Sequence, residues 1–306
     1  SASVSLDGWL EANRHRLTAD AAMITDTGFH EGNIPAVTTS LRGMMYAQID
    51  VRLTDRDLHS GSYGGAVANP AFALAQIITA MKGPDGRIRI PGFYDDVEPL
   101  SEAEQAASKR LADPEGFKRA AGVTGTPGEA GFSVLERIWG RPTLEVNGMW
   151  GGFTGEGTKT VIPSVAHAKI TCRLVPSQDP DAIGRALEAK LRAAAPDYVE
   201  LDFRIGDRSP AWSCSPEEPA LAAAGAALGE AFGTPAIYAR MGGSIGVVPT
   251  FARLLGAPIV MMGFALETEN FHAPNEHFTL VNFDLGLRAL VGYWLRLGGR
   301  VGAGDA

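Results

Sequence analysis

Between Val165 and Val175 the sequence alternates without a break, with Ala166, Ala168, Ile170, Cys172 and Leu174 on one side and His167, Lys169, Thr171 and Arg173 on the other. Period two over so long a run commits the segment to a β-strand with one face in a core and the other in a polar setting. Such a strand needs neighbours, and the flanking sequence supplies them. Residues 44–53 read as a strand, and Asn69-Pro70 opens a helix to about residue 81, with Asn as N-cap and Pro at the first helical position. Residues 143–146 read as another strand, Asp179-Pro180 opens an amphipathic helix to about residue 195, and residues 198–205 make the last strand. The order β-α-β-β-α-β is the ferredoxin-like arrangement. An insertion over residues 82–141 interrupts it, in which Ser101 and Glu104 carry a capping-box signature ahead of a helix over 105–112, and Gly122 to Gly131 reads as surface loop.

Residues 1–41 and 209–306 carry a different pattern. Apolar strands near 21–25, 236–240 and 258–263 accompany helices near 6–14, 219–232, 247–255 and 283–297, as in a doubly wound α/β sheet. Residues 42–208 therefore read as an inserted domain within one α/β domain. Three or four short strands with four helices make a thin core for such a sheet, so the α/β domain reads as incomplete.

Charge and composition remove several classes of function. A net charge of −8 with no basic run longer than a pair leaves no nucleic-acid footprint. No window approaches the roughly 18 apolar residues of a membrane span, and the start, Ser1-Ala2-Ser3-Val4, is no secretory signal. Cys172 and Cys214 lack a CxxC spacing, which sets aside a zinc knuckle or a disulfide framework and fits a reducing cytoplasm. The chain begins without Met, and the expectation is that the true N-terminus, with any targeting segment, is missing from it.

Candidate chemistry gathers at the ends of strands. His272 stands among Glu269, Asn270, Asn275 and Glu276, shortly after the apolar run Ala257–Gly263, and Asp26 ends the apolar run Ala21–Thr25 ahead of Thr27-Gly28. Open α/β sheets bind ligands at such edges, although an Asp before Gly is also an ordinary turn former. His59 sits in the glycine-rich loop Asp57–Gly65, where backbone can approach a ligand closely, or else it is a solvated loop histidine. Arg173 projects from the polar face of its strand, as a surface charge or as a fork for a substrate carboxylate. Thr160 belongs to a second glycine-loosened loop, Gly155–Pro163, and its plainer reading is a turn. Gly242-Gly243-Ser244-Ile245-Gly246 matches the G-x-S-x-G nucleophile elbow, and with Glu267 or Glu269 and His272 it follows the serine, acid, histidine order of an α/β-hydrolase; otherwise it is a glycine-rich helix start.

Six motifs in order carry a family resemblance: Asp-Thr-Gly at 26–28, Asp-Leu-His-Ser-Gly at 57–61, Gly-Thr-Lys-Thr-Val-Ile-Pro at 157–163, Cys-Arg-Leu-Val-Pro at 172–176, Arg-Met-Gly-Gly-Ser-Ile at 240–245 and Asn-Phe-His-Ala-Pro-Asn-Glu at 270–276. Together they resemble the dinuclear zinc metallopeptidases that include carnosinases, cysteinylglycine dipeptidases, acetylornithine deacetylase and aminoacylase, and most closely the dipeptidase branch. The resemblance covers nearly the whole chain. It implies that Asp26 and His272 are metal ligands and that His59 reaches the active site of a partner subunit to help hold an oxyanion. It further implies that Thr160 and Arg173 grip the substrate's terminal carboxylate while Gly243 and Ser244 line the pocket. Two zinc ions, or manganese, would activate a bridging water against an amide carbonyl in a small peptide or an N-acyl amino acid. The inserted domain would be a dimerisation and lid domain, making a homodimer.

One departure stands against that match. Family members carry, ahead of the Asp corresponding to Asp26, a His-x-Asp that supplies one ligand and the bridging carboxylate, then a Glu-Glu pair that supplies the general base and another ligand. Neither occurs in residues 1–25. The expectation is an incomplete zinc-peptidase-like catalytic domain interrupted by an intact ferredoxin-like domain: a fragment of a metal-dependent dipeptidase or aminoacylase-like hydrolase, inactive alone and holding no metal by itself. The alternatives are a non-enzymatic dimerisation or binding module and a serine hydrolase using Ser244 and His272.

Overall fold

The computed structural model describes residues 6–30 and 33–299, and the Ser1-to-Val4 start lies outside them. The chain divides into two compact units, one formed by the residues up to Leu41 together with those from Trp212 onward, the other by Arg42–Ala211. The first unit opens with α1 (Leu6–Ala12), β1 (Ala22–Ile24) and β2 (Ala36–Leu41). The second holds β3 (Gly43–Arg52), β4 (Leu58–His59), α2 (Ser60–Tyr63), α3 (Pro70–Thr79), α4 (Glu102–Leu111), α5 (Pro114–Ala121), α6 (Val134–Gly140), β5 (Thr143–Gly151), β6 (Val161–Ile162), β7 (Val165–Leu174), α7 (Pro180–Ala194) and β8 (Glu200–Ser209). The first unit resumes with β9 (Trp212–Ser213), α8 (Pro219–Phe232), β10 (Ile237–Met241), α9 (Val247–Leu255), β11 (Ile259–Met262) and α10 (Leu280–Leu297).

In the second unit β7 pairs antiparallel with β3 along its whole length, from Leu174 opposite Gly43 to Val165 opposite Arg52. Flanking strands give the sheet order β5-β7-β3-β8, the ferredoxin-like order. The alternating residues Ala166, Ala168, Ile170, Cys172 and Leu174 are buried and pack with Leu74 and Ile77 of α3 and Leu187 and Leu191 of α7. Each large side chain so buried contributes roughly 1.5–3 kcal/mol. Both helices start where their Asn-Pro and Asp-Pro pairs direct them: the Asn69 side chain accepts from the Ala71 N–H at 2.9 Å and that of Asp179 from the Asp181 N–H at 3.0 Å. Burial pushes the Cys172 thiol up to about 12, so it is an inert core residue.

The insertion is more helical than its sequence predicts. Alongside the capping box of Ser101 and Glu104 at α4, Ser133 and Glu136 form another at α6, and Asp113-Pro114 opens α5. The Gly122–Gly131 loop is anchored by Glu129, which is buried and receives a two-pronged ion pair from Arg141 at 2.8 and 2.7 Å, with Arg87 at 3.3 Å. A buried carboxylate without partners would cost several kcal/mol, so these arginines are what let the loop fold inward.

In the first unit β1, β11, β2 and β10 lie side by side, with β9 also paired to β2. β1 is parallel to β11 and β10 to β2, while β11 and β2 are antiparallel. The sheet is thus mixed, a detail that the strand pattern does not carry. β2 itself gives no signal in the sequence: all six residues are buried, including Thr38, Thr39 and Ser40, and a strand covered on both faces has no alternation to read. A bulge at Thr39, where Ala239 and Arg240 pair with Thr38 and Ser40, turns the strand over. Val37 therefore joins the core beneath α8 and α10, and Leu41 joins the one beneath α9. β11 divides the same way, Val260 and Met262 to one side and Ile259 and Met261 to the other, so helices cover both faces.

On the polar face of β3 and β7, Asp50 Oδ1 lies 2.7 Å from His167 Nδ1 and accepts from Gln48 Nε2 at 3.0 Å, and Arg204 pairs with the other oxygen. Trp150 stacks on the His167 ring, 4.9 Å between centroids. Burial alone would raise the Asp50 carboxyl, but the hydrogen bonds from Gln48 and His167 and the charge of Arg204 outweigh it and hold the group below its ordinary value. The folded form therefore binds this proton less tightly than the unfolded chain. The stabilisation is present above the ordinary carboxylate pKa of about 3.9 and is lost as pH falls through the lower folded value. Asp50→Asn is expected to lower the urea midpoint at pH 6, and the gap from the unmutated protein should close on acidification to about pH 2; a gap constant with pH would exclude this linkage.

Candidate active site

In the first unit β1 and β11 run parallel with Ile24 beside Met261, so their carboxyl ends open at the same edge. Asp26 lies two residues past β1 and is exposed there. The segment that carries it is wedged against the chain leaving β11: Gly28 bridges Ala265, Phe29 N–H donates to the Ala265 carbonyl at 2.8 Å, and a Cβ on Gly263 would stand 1.8 Å from the Thr27 carbonyl oxygen. Only glycine allows that approach. Backbone packing fixes the segment that carries Asp26.

His272 lies on the loop that follows β11, exposed and with a left-handed backbone, φ 58°. The loop is tied at its neck by Glu269, which is fully buried. Its Oε2 accepts from Leu266 N–H at 3.0 Å, its Oε1 from Thr279 N–H at 2.8 Å, and its carbonyl from His277 N–H at 3.1 Å. Glu269 is therefore a positioning residue for the turn that displays His272. Its sequence signal, an acid among amides near a histidine, does not distinguish a ligand from a brace.

Asp26 and His272 supply two donors. Among the described residues no group of three or more His, Cys, Asp and Glu side chains is arranged to hold a metal ion. By themselves these residues do not fit a metal centre, which needs a fuller and braced donor set.

Gly242–Gly246 links β10 to α9, so the strand-turn-helix context of the serine-elbow reading is present. The other requirements are not. Ser244 is not among the described residues with positive φ, whereas an elbow nucleophile sits on a strained turn, and both oxygens of Glu269 are taken by backbone donors. The side chain of Glu267 lies outside the described residues. Gly243 and Ser244 are half-buried ahead of α9, a nine-residue helix with no side-chain cap, and the dipole of a helix N-terminus favours negative charge.

In the second unit the two glycine-rich loops meet. β4 pairs with β6, placing His59 opposite Val161, and Ser60 N–H donates to the Thr160 carbonyl at 3.1 Å. The Nδ1 of His59 accepts from Gly61 N–H at 3.1 Å, which leaves the ring proton on Nε2, 3.4 Å from Thr160 Oγ1. His59 thus presents an exposed N–H donor whose tautomer is set by its own turn. Beside it lies a cleft of about 470 Å³ lined by Ser60, Asn69, Phe72, Val161, Ile162 and Tyr198, large enough for a side chain or a small ligand.

Arg173 is elsewhere in this unit. It pairs in register with Met44 and Thr143, at the end of β7 remote from β6. A ten-residue strand is roughly 30 Å long, so Thr160 and Arg173 of one chain cannot share one carboxylate. The joint grip drawn from the resemblance therefore cannot be made by one chain alone. The neighbour of Arg173 is Arg42: burial first, then the charge of Arg173, lowers the Arg42 guanidinium to about 10, against a smaller raising effect of Glu145. Two arginines within each other's field, with Glu145 close by, concentrate positive charge at this end of the sheet. Arg42 has no sequence signal of its own, being one arginine before a strand.

Residues 39–199 match the family of the peptidase dimerisation domain of M20 peptidases. The chain belongs to the M20 peptidase family. It is 30 % identical over 287 residues to the Cys-Gly metallodipeptidase of Schizosaccharomyces pombe, aligning 92 % of this chain with 60 % of that protein. It is 26 % identical over 303 residues to the human Beta-Ala-His dipeptidase, aligning 96 % of this chain with 59 % of that one. The M20 family metallo-carboxypeptidase of Sulfolobus solfataricus superposes with a TM-score of 0.85 at 27 % identity, over 94 % of this chain and 66 % of the other. The chain spans about three fifths of the length of the curated M20 relatives it matches.

Removal of the neck carboxylate tests the brace. Glu269→Ala should raise amide exchange at Leu266 and Thr279 at least tenfold and cost about 1–3 kcal/mol in denaturant unfolding. Unchanged exchange at both amides would show that the loop closes without Glu269.

Proposed function

We propose that this chain is the dimerisation domain and part of the α/β domain of a metal-dependent dipeptidase that cleaves small peptides or N-acyl amino acids. The observation that carries this reading is the M20 match over residues 39–199 joined to likeness, along nearly the whole chain, to a Cys-Gly and a Beta-Ala-His dipeptidase. Zinc or manganese ions would take Asp26 and His272 as two of their donors, and the others would come from polypeptide beyond the described residues. His59, with its proton on Nε2, would donate to the carbonyl oxygen under attack. Arg173, reinforced by Arg42, would receive the substrate carboxylate, while Gly243 and Ser244 line the pocket. Thr160 would steady the His59 ring and meet the same substrate.

Because His59 and Thr160 stand at one end of β7 and Arg173 at the other, one substrate can meet all three only if two copies contribute. This supports a homodimer built on the inserted domain, in which each site draws His59 and Thr160 from one subunit and Arg173 from the other. Cys172 and Cys214, free in the structure, fit the reducing cytoplasm. A second reading, a binding or assembly module without catalysis, draws on the lack of a three-donor cluster among the described residues.

Hydrolysis of Cys-Gly and β-Ala-His by the complete protein, abolished by chelation and restored by zinc or manganese, is the expected result, with residues 1–306 alone inactive. Failure of the complete protein to hydrolyse any such dipeptide with either metal would favour the module. His59→Ala should lower kcat by about 10²–10³-fold, as loss of an oxyanion donor does, whereas Arg173→Ala should act mainly on KM. Mixing the two variants in equal amounts should restore about a quarter of the original activity, since half of the sites in half of the dimers regain both residues. No recovery on mixing would place His59 and Arg173 of one subunit in the same site.

A further inference from the structure

Asn147 is followed by Gly148, and no other asparagine in the sequence precedes a glycine. The pair lies in β5, which ends its sheet and pairs there with β7. Val146 stands opposite Ile170 and Gly148 opposite Lys169, so Asn147 is the extra residue of a β-bulge and has no place in the ladder. It is exposed. The carboxamides of Asn13, Asn69 and Asn282 are each tied to a backbone group, and the residues after them are Arg14, Pro70 and Phe283. Asn147 has no such tether among the described residues. A Cβ built on Gly148 would meet nothing within 4 Å, so the peptide between the two has room to turn.

This arrangement opens a reaction that needs only water. The Gly148 nitrogen gives up its proton and bonds to the side-chain carbonyl carbon of Asn147, while the carboxamide nitrogen takes a proton and leaves as ammonia. A five-membered succinimide ring results. Water then breaks one of the two ring C–N bonds: cleavage on the side-chain side gives aspartate, and cleavage on the main-chain side gives isoaspartate. No group is oxidised or reduced. A bulge favours ring closure because the residue that must twist carries no ladder position to lose.

We propose that Asn147 is a modification site, at which this reaction places a carboxylate in the edge strand and, in its isoaspartate form, releases the strand beyond it from β7. The isoaspartate linkage runs the main chain through Cβ and lengthens it by one atom. Beyond the bulge Gly148–Gly151 are matched residue by residue to Lys169–Ala166, and Trp150 is stacked on His167 at 4.9 Å. A ladder tolerates no such drift without losing its register. Either product also sets a negative charge between Val146 and Met149, apolar side chains 38 and 49 % exposed, and charge on an edge strand is what keeps it from pairing with another chain. The site is independent of the reaction the protein serves.

The test holds the complete protein at pH 8 and 37 °C, folded in one sample and unfolded in guanidinium chloride in another, and follows both by peptide mass spectrometry. Asn147 should convert in the folded protein within about tenfold of the unfolded rate, its peptide gaining the mass of O for NH. The product should accept methyl groups from S-adenosylmethionine through an isoaspartate methyltransferase. Gly148→Ala, which the open space admits, should slow conversion at least tenfold, and Asn147→Ser should remove the methyl acceptor. In the isoaspartate fraction, separated by charge, amide exchange over residues 148–151 should rise at least tenfold. Folded conversion more than tenfold below the unfolded rate, or a rate untouched by Gly148→Ala, would overturn the site. Unchanged exchange over 148–151 would overturn the release of the strand.

Discussion

β3 and β7 face each other without a slip from end to end, and the second unit hangs from that pairing. Side chains alternate strictly along a strand, so a register that buries Ala168 and Ile170 sends His167, Lys169 and Arg173 to the opposite face. The length of the pairing matters as much as its register. One end carries Arg173 with Arg42 and Glu145 close by, and the other passes through Ser164 and Pro163 into the short β4–β6 ribbon that bears His59. Any reaction that needs both ends must recruit two copies, which would make assembly part of the chemistry rather than an accessory to it.

The first unit works by a different device. Around Asp26 and His272 the ordering is done by backbone: Gly263 against the Thr27 carbonyl, Gly28 against Ala265, and the N–H groups of Leu266 and Thr279 on the Glu269 carboxylate. A loop closed in this way loses its conformational freedom when the protein folds, so little remains to be lost when a ligand arrives. Asp26 and His272 themselves stay exposed.

Much of this was legible in the residues. The alternation at 165–175, the Asn-Pro and Asp-Pro helix starts and the capping box at Ser101 are local signals, and each of those elements forms where its signal lies. What escaped is set by tertiary context. β2 is buried on both faces, so Thr38, Thr39 and Ser40 disguise a central strand. Arg42 gains its meaning only from a partner 131 positions away in the chain, Arg173. Glu269 looks like a candidate ligand until its two oxygens are seen to face backbone donors. The motifs singled out candidate residues but could not say that Thr160 and Arg173 stand a strand's length apart.

The placement of the insertion has a bearing on how such a protein can vary. It leaves after α3 and returns before β5, closed on itself by Glu129 with Arg87 and Arg141, and it adds no residue to the β3–β7 pairing. One residue gained or lost inside β7 would carry Arg173 into the helix-covered core and reverse every side chain beyond the change. Length can therefore change in the exposed stretches of the Lys82–Arg141 segment, away from Ile88, Ile90 and Phe93, which are buried in the same core, while the distance between the two ends of the sheet stays constant. The ladder is the gauge of the molecule, and the insertion is where its descent is free to experiment.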